Sequence, residues 1–194
     1  MIQRIVFLTL LTLWATLPHT ATAESGSNLA QEPELQACLV LEQEGLQRFA
    51  ALEARANELR GVDALLKGRR EALLKTKQGM DNKKPSDKAV NAFNNEVNVF
   101  NQQTDQLNAD KAAFEADKMA YEAWLASALK PTCNKLNGKP VAPITAFYAC
   151  GYDKTDSNLL QVPYCKNLGN LAELKACASK AGSKTAAYSA CMNF

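Results

Sequence analysis

The stretch VNAFNNEVNVFNQQTDQLNADKAAFEADKMAYEAWLASA, residues 90–128, decides the fold. Its core positions recur at alternating spacings of three and four residues, which is the heptad pattern of an α-helical coiled coil. They are Val90, Phe93, Val97, Phe100, Thr104, Leu107, Lys111, Phe114, Lys118, Tyr121, Leu125 and Ala128. Ser86, after Pro85, predicts an N-cap, and Lys130-Pro131 predicts the end of the helix.

A second apolar pattern with helical spacing lies upstream and starts just after Pro33, a residue that suits the first turn of a helix. Its members are Leu35, Leu39, Leu46, Phe49, Leu52, Ala56, Leu59, Leu66 and Leu73. Gly61, Gly68 and Gly79 each weaken a helix interior by about 1 kcal/mol relative to Ala, so we expect this helix to bend or fray near its far end. The polar linker 79–85 is short enough to force an antiparallel arrangement.

The register of this antiparallel pair follows from arithmetic, because facing residues have a constant sum of residue numbers. A sum of 170 places Phe49 opposite Tyr121 and brings Cys38 next to Cys133. We therefore predict a Cys38–Cys133 disulfide that closes the base of the hairpin. The same register places the core lysines Lys111 and Lys118 beside glutamates of the first helix, which are Glu53 and Glu58.

Six cysteines without any C-x-x-C pair favour structural disulfides over redox catalysis or a zinc site. Four of them, Cys150, Cys165, Cys177 and Cys191, lie in the last 60 or so residues, which are too few for a large core. Three pairings are open, and the nearest-neighbour pattern favours Cys150–Cys165 with Cys177–Cys191. We expect an extended or weakly helical segment at 141–148 and short helices at 168–181 and 183–192.

The chain begins like a cleavable secretory signal. Arg4 precedes an apolar run from Ile5 to Leu17, which is shorter than the roughly 20 residues of a membrane span. The small residues Ala21-Thr22-Ala23 predict cleavage after Ala23. We therefore expect an exported protein that is soluble in the periplasm or outside the cell, without a further membrane span.

The sequence thus predicts a mainly α-helical protein with four regions. These are a signal peptide at 1–23, a flexible N-terminus at 24–33, an antiparallel coiled-coil hairpin at 34–131, and a small disulfide-rich, helical and irregular C-terminal subdomain at 132–194. Trp124 lies off the coiled-coil core, and we expect it to pack against the C-terminal subdomain.

Charge alternates in sign along the chain. Residues 24–63 carry three basic and eight acidic side chains, whereas residues 64–88 carry eight basic and three acidic ones. The basic residues are Lys67, Arg69, Arg70, Lys75, Lys77, Lys83, Lys84 and Lys88, and the hairpin places them at its loop end. This basic tip is a candidate surface for a partner protein or for an anionic component of the cell envelope.

The residue inventory argues against several kinds of catalysis. The one histidine, His19, lies in the predicted signal, so the exported chain has no imidazole for Ser-His-Asp chemistry or for a metal site. Asp153, Asp156 and Asn158 lack the spacing of an EF-hand, and they favour a turn over a calcium site. No metal or cofactor is predicted, and the near-balanced charge argues against nucleic-acid binding.

The sequence therefore favours an exported, non-enzymatic interaction or structural protein. The alternative is a small glycan or cell-wall hydrolase that uses an acidic pair in the C-terminal subdomain, where Asp153, Asp156 and Glu173 are the acids available. Self-association through the coiled coil is a further alternative.

Overall fold

The computed structural model describes residues 28–194. Within this range the chain is about 80 % helical, contains no strand, and carries three disulfides. The predicted signal peptide at 1–23 lies outside the described residues, as does the first part of the segment 24–33. Within the described part of this segment, Ala30 is buried and its N–H donates to the carbonyl of Pro140.

Seven α-helices follow one another along the described chain. They are α1 (Glu32–Asp81), α2 (Asp87–Trp124), α3 (Lys130–Cys133), α4 (Pro143–Ala149), α5 (Pro163–Lys166), α6 (Leu171–Ala181) and α7 (Lys184–Ala190). A π-helical turn, Leu125–Leu129, joins α2 to α3, and two 3-10 turns lie at Asn134–Leu136 and Asn158–Gln161.

The residues group into two compact units. The helix-pair unit is Ala37–Lys135, and the C-terminal unit comprises Leu136–Phe194 together with the described residues up to Gln36.

The first helix does not fray at its glycines. It continues without a break from Glu32 to Asp81, through Gly61, Gly68 and Gly79. Leu59, Leu66 and Leu73, spaced seven residues apart around the first two glycines, are all at least 91 % buried. Burying a leucine contributes about 1.5–3 kcal/mol, which outweighs the roughly 1 kcal/mol that each glycine costs.

Apolar side chains of α1 and α2 are in contact. Leu107 packs into one apolar cluster with Leu59 and Leu66, and Phe100 and Phe114 cover its sides. At one end of the pair, Ser86 caps α2 by accepting a hydrogen bond from the N–H of Ala89, as the sequence predicted.

At the opposite end, the sulfur atoms of Cys38 and Cys133 are bonded, with their Cα atoms 4.9 Å apart. This is the pair that the register of 170 favoured. The ring centroids of Phe49 and Tyr121, which the same register placed opposite each other, lie 6.5 Å apart.

The helical path does not stop at Pro131, which corrects the expected end at Lys130-Pro131. The turn Leu125–Leu129 is π-helical, and the N–H of Lys130 donates to the carbonyl of Leu125, five residues earlier. In an α-helix the proline ring would clash with the carbonyl four residues before it. A π turn shifts that register by one residue, so α3 continues through Pro131 to Cys133.

The C-terminal unit is built around α4, α6 and α7. Ile144, Phe147, Leu174 and Ala187 form its buried cluster together with Cys191. An extended or weakly helical segment was expected at 141–148, and residues 143–149 form a regular helix with Pro143 in its first turn. Ile144 to Ala149 are all buried, including the polar Thr145, so no alternation of apolar and polar residues marks a helical face in the sequence.

A turn of two residues separates α6 from α7. Gly182 ends α6 with a φ of 71°, a left-handed conformation that glycine adopts without steric cost. Ser183 then caps α7 by accepting a hydrogen bond from the N–H of Ala186.

Disulfides Cys150–Cys165 and Cys177–Cys191 lie within this unit and are the two pairs that nearest-neighbour spacing favoured. Their half-cystines Cys150, Cys165 and Cys191 are completely buried. No helix in the described part of the chain is long and apolar enough to cross a membrane.

Candidate functional site

The basic tip occupies the end of the helix-pair unit that is opposite the Cys38–Cys133 disulfide. It is formed by the last part of α1, the linker 82–86 and the first turn of α2. Seven of its eight cations are exposed, and Arg69 is half-buried. These are the basic residues that surround the linker between the two long helices.

Two of the eight cations are held by other side chains. Lys67 forms an ion pair with Asp63 at 2.8 Å, and Arg69 donates to Oε1 of Gln103 at 2.6 Å. Asp63 also accepts from Lys111 at 2.7 Å. Hydrogen bonds from Lys111 and then Lys67 hold the pKa of Asp63 at about 2, well below its usual value.

Of the two core lysines, Lys111 does not pair with the glutamates that the register suggested. Lys111 binds Asp63, one turn farther along α1 than Glu58, because Glu58 is already paired with Arg55 at 2.9 Å. Lys118 forms an ion pair with Glu115 on its own helix at 2.9 Å.

The other six tip cations make no hydrogen bond or ion pair with any residue in the range 28–194. They are Arg70, Lys75, Lys77, Lys83, Lys84 and Lys88, and all are exposed. Because no carboxylate of the described chain neutralises them through a direct contact, their charge remains available to an external anion.

Arginines spaced by multiples of seven residues hold one edge of the helix pair together. Arg48 lies over the ring of Trp124 at 4.7 Å, and Arg55 donates to Asp110 at 2.9 Å. Arg69, which donates to Gln103, lies two heptads after Arg55 and occupies the same heptad position. These contacts fix the register of α1 against α2, and with it the position of the tip.

Trp124 makes ring contacts with residues of both long helices of the helix-pair unit. Its ring stacks on Tyr121 at a centroid distance of 6.0 Å. A Cβ atom at Gly45 would lie 3.4 Å from the indole, so the glycine lets the ring approach the backbone of α1. The sequence did contain a signal for this contact. The register sum of about 170 places Gly45 opposite Trp124.

Glu42 is a half-buried titratable group that the sequence did not single out. It lies one helical turn beyond Cys38, on the same face of α1. It makes no hydrogen bond or ion pair within the described residues. Burial alone therefore raises the pKa of Glu42 to about 7.

We expect stability to depend on pH through this carboxyl group. The pKa is higher in the folded chain than in the unfolded chain, where it is about 4.5. Stability is therefore full below pH 4.5 and falls as the pH rises towards 7. Glu42→Gln is expected to raise the free energy of unfolding at pH 8 by about 1–3 kcal/mol.

Urea unfolding at pH 5 and pH 8 measures this effect. The matched control is Glu53→Gln, since Glu53 is an exposed glutamate of the same helix. A Glu42→Gln protein that loses stability at pH 8 would contradict the prediction.

The three acids that the sequence suggested for a hydrolase are surface residues of the C-terminal unit. Asp153, Asp156 and Glu173 are all exposed. The loop that carries the two aspartates is held by Ser157, whose hydroxyl donates to the carbonyl of Cys150 at 2.7 Å. Gly151 has a φ of 76°, and a Cβ atom there would clash with Ser157.

Two surface depressions in this unit contain one carboxylate each. Glu173 lines one of about 490 Å³, and Glu32 lines another of about 350 Å³. Both oxygens of Glu32 are already used, because it accepts from Lys184 and from the hydroxyl of Tyr188, each at 2.5 Å. A glycosidase needs two carboxyl groups that face one sugar, and neither depression provides them.

No group of three or more metal-ligating side chains lies close together within residues 28–194. The site with the most distinctive chemistry is therefore the basic tip, a set of exposed cations on a disulfide-closed helix pair. Comparisons of the chain with protein-family models, curated proteins and solved structures find no match.

Proposed function

We propose that the chain is an exported, non-enzymatic interaction protein. In this proposal α1 and α2 form a rigid coiled-coil hairpin that presents its basic tip to a protein or to an anionic component of the cell envelope. The periplasm or the extracellular space is its compartment, because the N-terminal pattern of a secretory signal and three disulfides both fit an oxidising environment.

The observation that carries the proposal is the set of six exposed tip cations that have no partner in the described chain. Residues 64–88 contain eight basic and three acidic side chains, so the excess is not balanced locally. A concentrated charge of one sign raises the local concentration of anions and speeds the approach of an anionic partner.

Burial along α2 supports the coiled coil. Its buried and half-buried residues include Val90, Phe93, Val97, Phe100 and Thr104, which follow the three-four spacing of the heptad. Closure of the far end by the Cys38–Cys133 disulfide supports rigidity, because the covalent bond prevents the helix ends from separating.

We expect four charge reversals at the tip to abolish binding. The variant combines Lys75→Glu, Lys77→Glu, Lys83→Glu and Lys84→Glu, all at exposed positions. The introduced glutamates would face an anionic partner, and like charges across an interface weaken binding by several kcal/mol. Capture of the envelope partner should therefore fall at least about tenfold. A crosslinking pull-down from the native envelope, followed at low and high salt, measures the loss.

The control variant changes the same net charge elsewhere. It combines Lys130→Glu, Lys135→Glu, Lys166→Glu and Lys175→Glu, which are exposed lysines outside the tip. Circular dichroism verifies that both variants remain helical. Equal capture by the wild type and the tip variant would refute a role for the tip. Equal loss of capture in both variants would show that net charge, and not the tip, determines binding.

A further inference from the structure

The basic tip combines its cations with an exposed leucine. Leu74, on the part of α1 that belongs to the tip, is 51 % exposed. Arg70 precedes it by four residues and Lys77 follows it by three, so all three side chains lie on one face of the helix. An exposed leucine between two cations without partners is a pattern that fits the interface of a membrane.

Neither of the surface depressions described above lies at the tip, because both lie in the C-terminal unit. Five of the six cations without partners are lysines, whose long stems allow the ammonium groups to spread over a surface. An exposed patch of cations on long side chains is complementary to an extended array of negative charge, such as the phosphates of a bilayer surface.

We propose that the basic tip docks on the surface of a bilayer that contains anionic phospholipids. The lysine ammonium groups contact the headgroup phosphates, and Leu74 enters the boundary between headgroups and acyl chains. This inference rests on the function proposed above, and it specifies the partner of the tip as a lipid surface instead of an acidic protein.

Co-sedimentation with vesicles tests the proposal on the processed protein recovered from an exporting host. The probes are vesicles of phosphatidylcholine alone and of phosphatidylcholine mixed with phosphatidylglycerol. We expect the protein to bind the mixed vesicles and to leave them when salt is raised from about 0.1 M to about 1 M, where the Debye length falls from about 10 Å to about 3 Å.

Two tip variants and two matched controls locate the contact. Lys83→Gln with Lys84→Gln should lower partitioning roughly 25-fold, since each cation near an anionic surface contributes about fivefold. Leu74→Ser should lower it several-fold, whereas Met119→Ser should not, although Met119 is 70 % exposed. Lys130→Gln with Lys135→Gln controls for charge outside the tip.

Equal binding to both kinds of vesicle would overturn the lipid inference, as would tip variants that bind like the wild type. A parallel arm uses immobilised polyglutamate as a soluble-type polyanion. Salt-sensitive retention on polyglutamate without vesicle binding would reject the lipid surface and leave the proposed function standing. If the protein binds neither the vesicles nor polyglutamate, both the lipid inference and the proposed function are rejected.

Discussion

Replacing both Cys38 and Cys133 with alanine is expected to lower the free energy of unfolding of the helix-pair unit by about 4–5 kcal/mol. The bond links residues that are 95 positions apart, so its loss releases a long loop in the unfolded chain. Both half-cystines are at least 96 % buried. The variant therefore also loses packing at the closed end of the pair.

The matched control is the double alanine variant of Cys177 and Cys191, which are 14 positions apart. Closing a loop of that length contributes about 3 kcal/mol. Loss of the Cys38–Cys133 disulfide, which closes the longer loop, should therefore lower the free energy of unfolding more. Denaturant unfolding, followed by circular dichroism for both variants, measures the difference. Equal losses would mean that native-state packing, and not loop length, sets the contribution of these disulfides.

Phe147→Ala is expected to cost about 3–5 kcal/mol, the usual range for emptying a buried phenylalanine site. Phe147 is 98 % buried in the cluster of the C-terminal unit. Its ring stacks on Tyr152 at 5.7 Å and meets Tyr148 edge-on at 5.3 Å. The two disulfides of this unit limit how far the site can collapse to fill the cavity.

Phe194→Ala serves as the control, because that ring is 45 % exposed and its removal should change stability by no more than about 0.5 kcal/mol. Thermal and urea unfolding of the two variants provide the comparison. A cost below about 1 kcal/mol for Phe147→Ala would show that the unit repacks around the cavity despite its disulfides.

The basic tip could be predicted from the sequence because two local patterns determine it. The two helical patterns in the sequence flank a short linker, so residues 64–88 lie on both sides of it. The charges of these residues are known from their types alone. Which cations are held by other side chains could be predicted only in part. Asp63 and Lys67 are four residues apart on one helix, a spacing that favours an ion pair, whereas the bond of Arg69 to Gln103 depends on how α1 packs against α2.

The sequence by itself determined the features that depend on spacing along one chain. The heptad of α2, the Ser86 cap and the Gly182 stop all follow from residue type and local backbone geometry. A constant residue sum also aligned Cys38 with Cys133. For the last four cysteines spacing only favoured one of three open pairings, and the structure contains that one.

Tertiary structure decided the features in which neighbours far along the chain compete. Packing of three leucines keeps α1 continuous through its glycines, and a π turn carries the chain through Pro131. Burial, which no local pattern displays, makes α4 a helix without a polar face and raises the pKa of Glu42 to about 7. In each case the free energy of contacts made by the folded chain exceeds the preference of the local sequence.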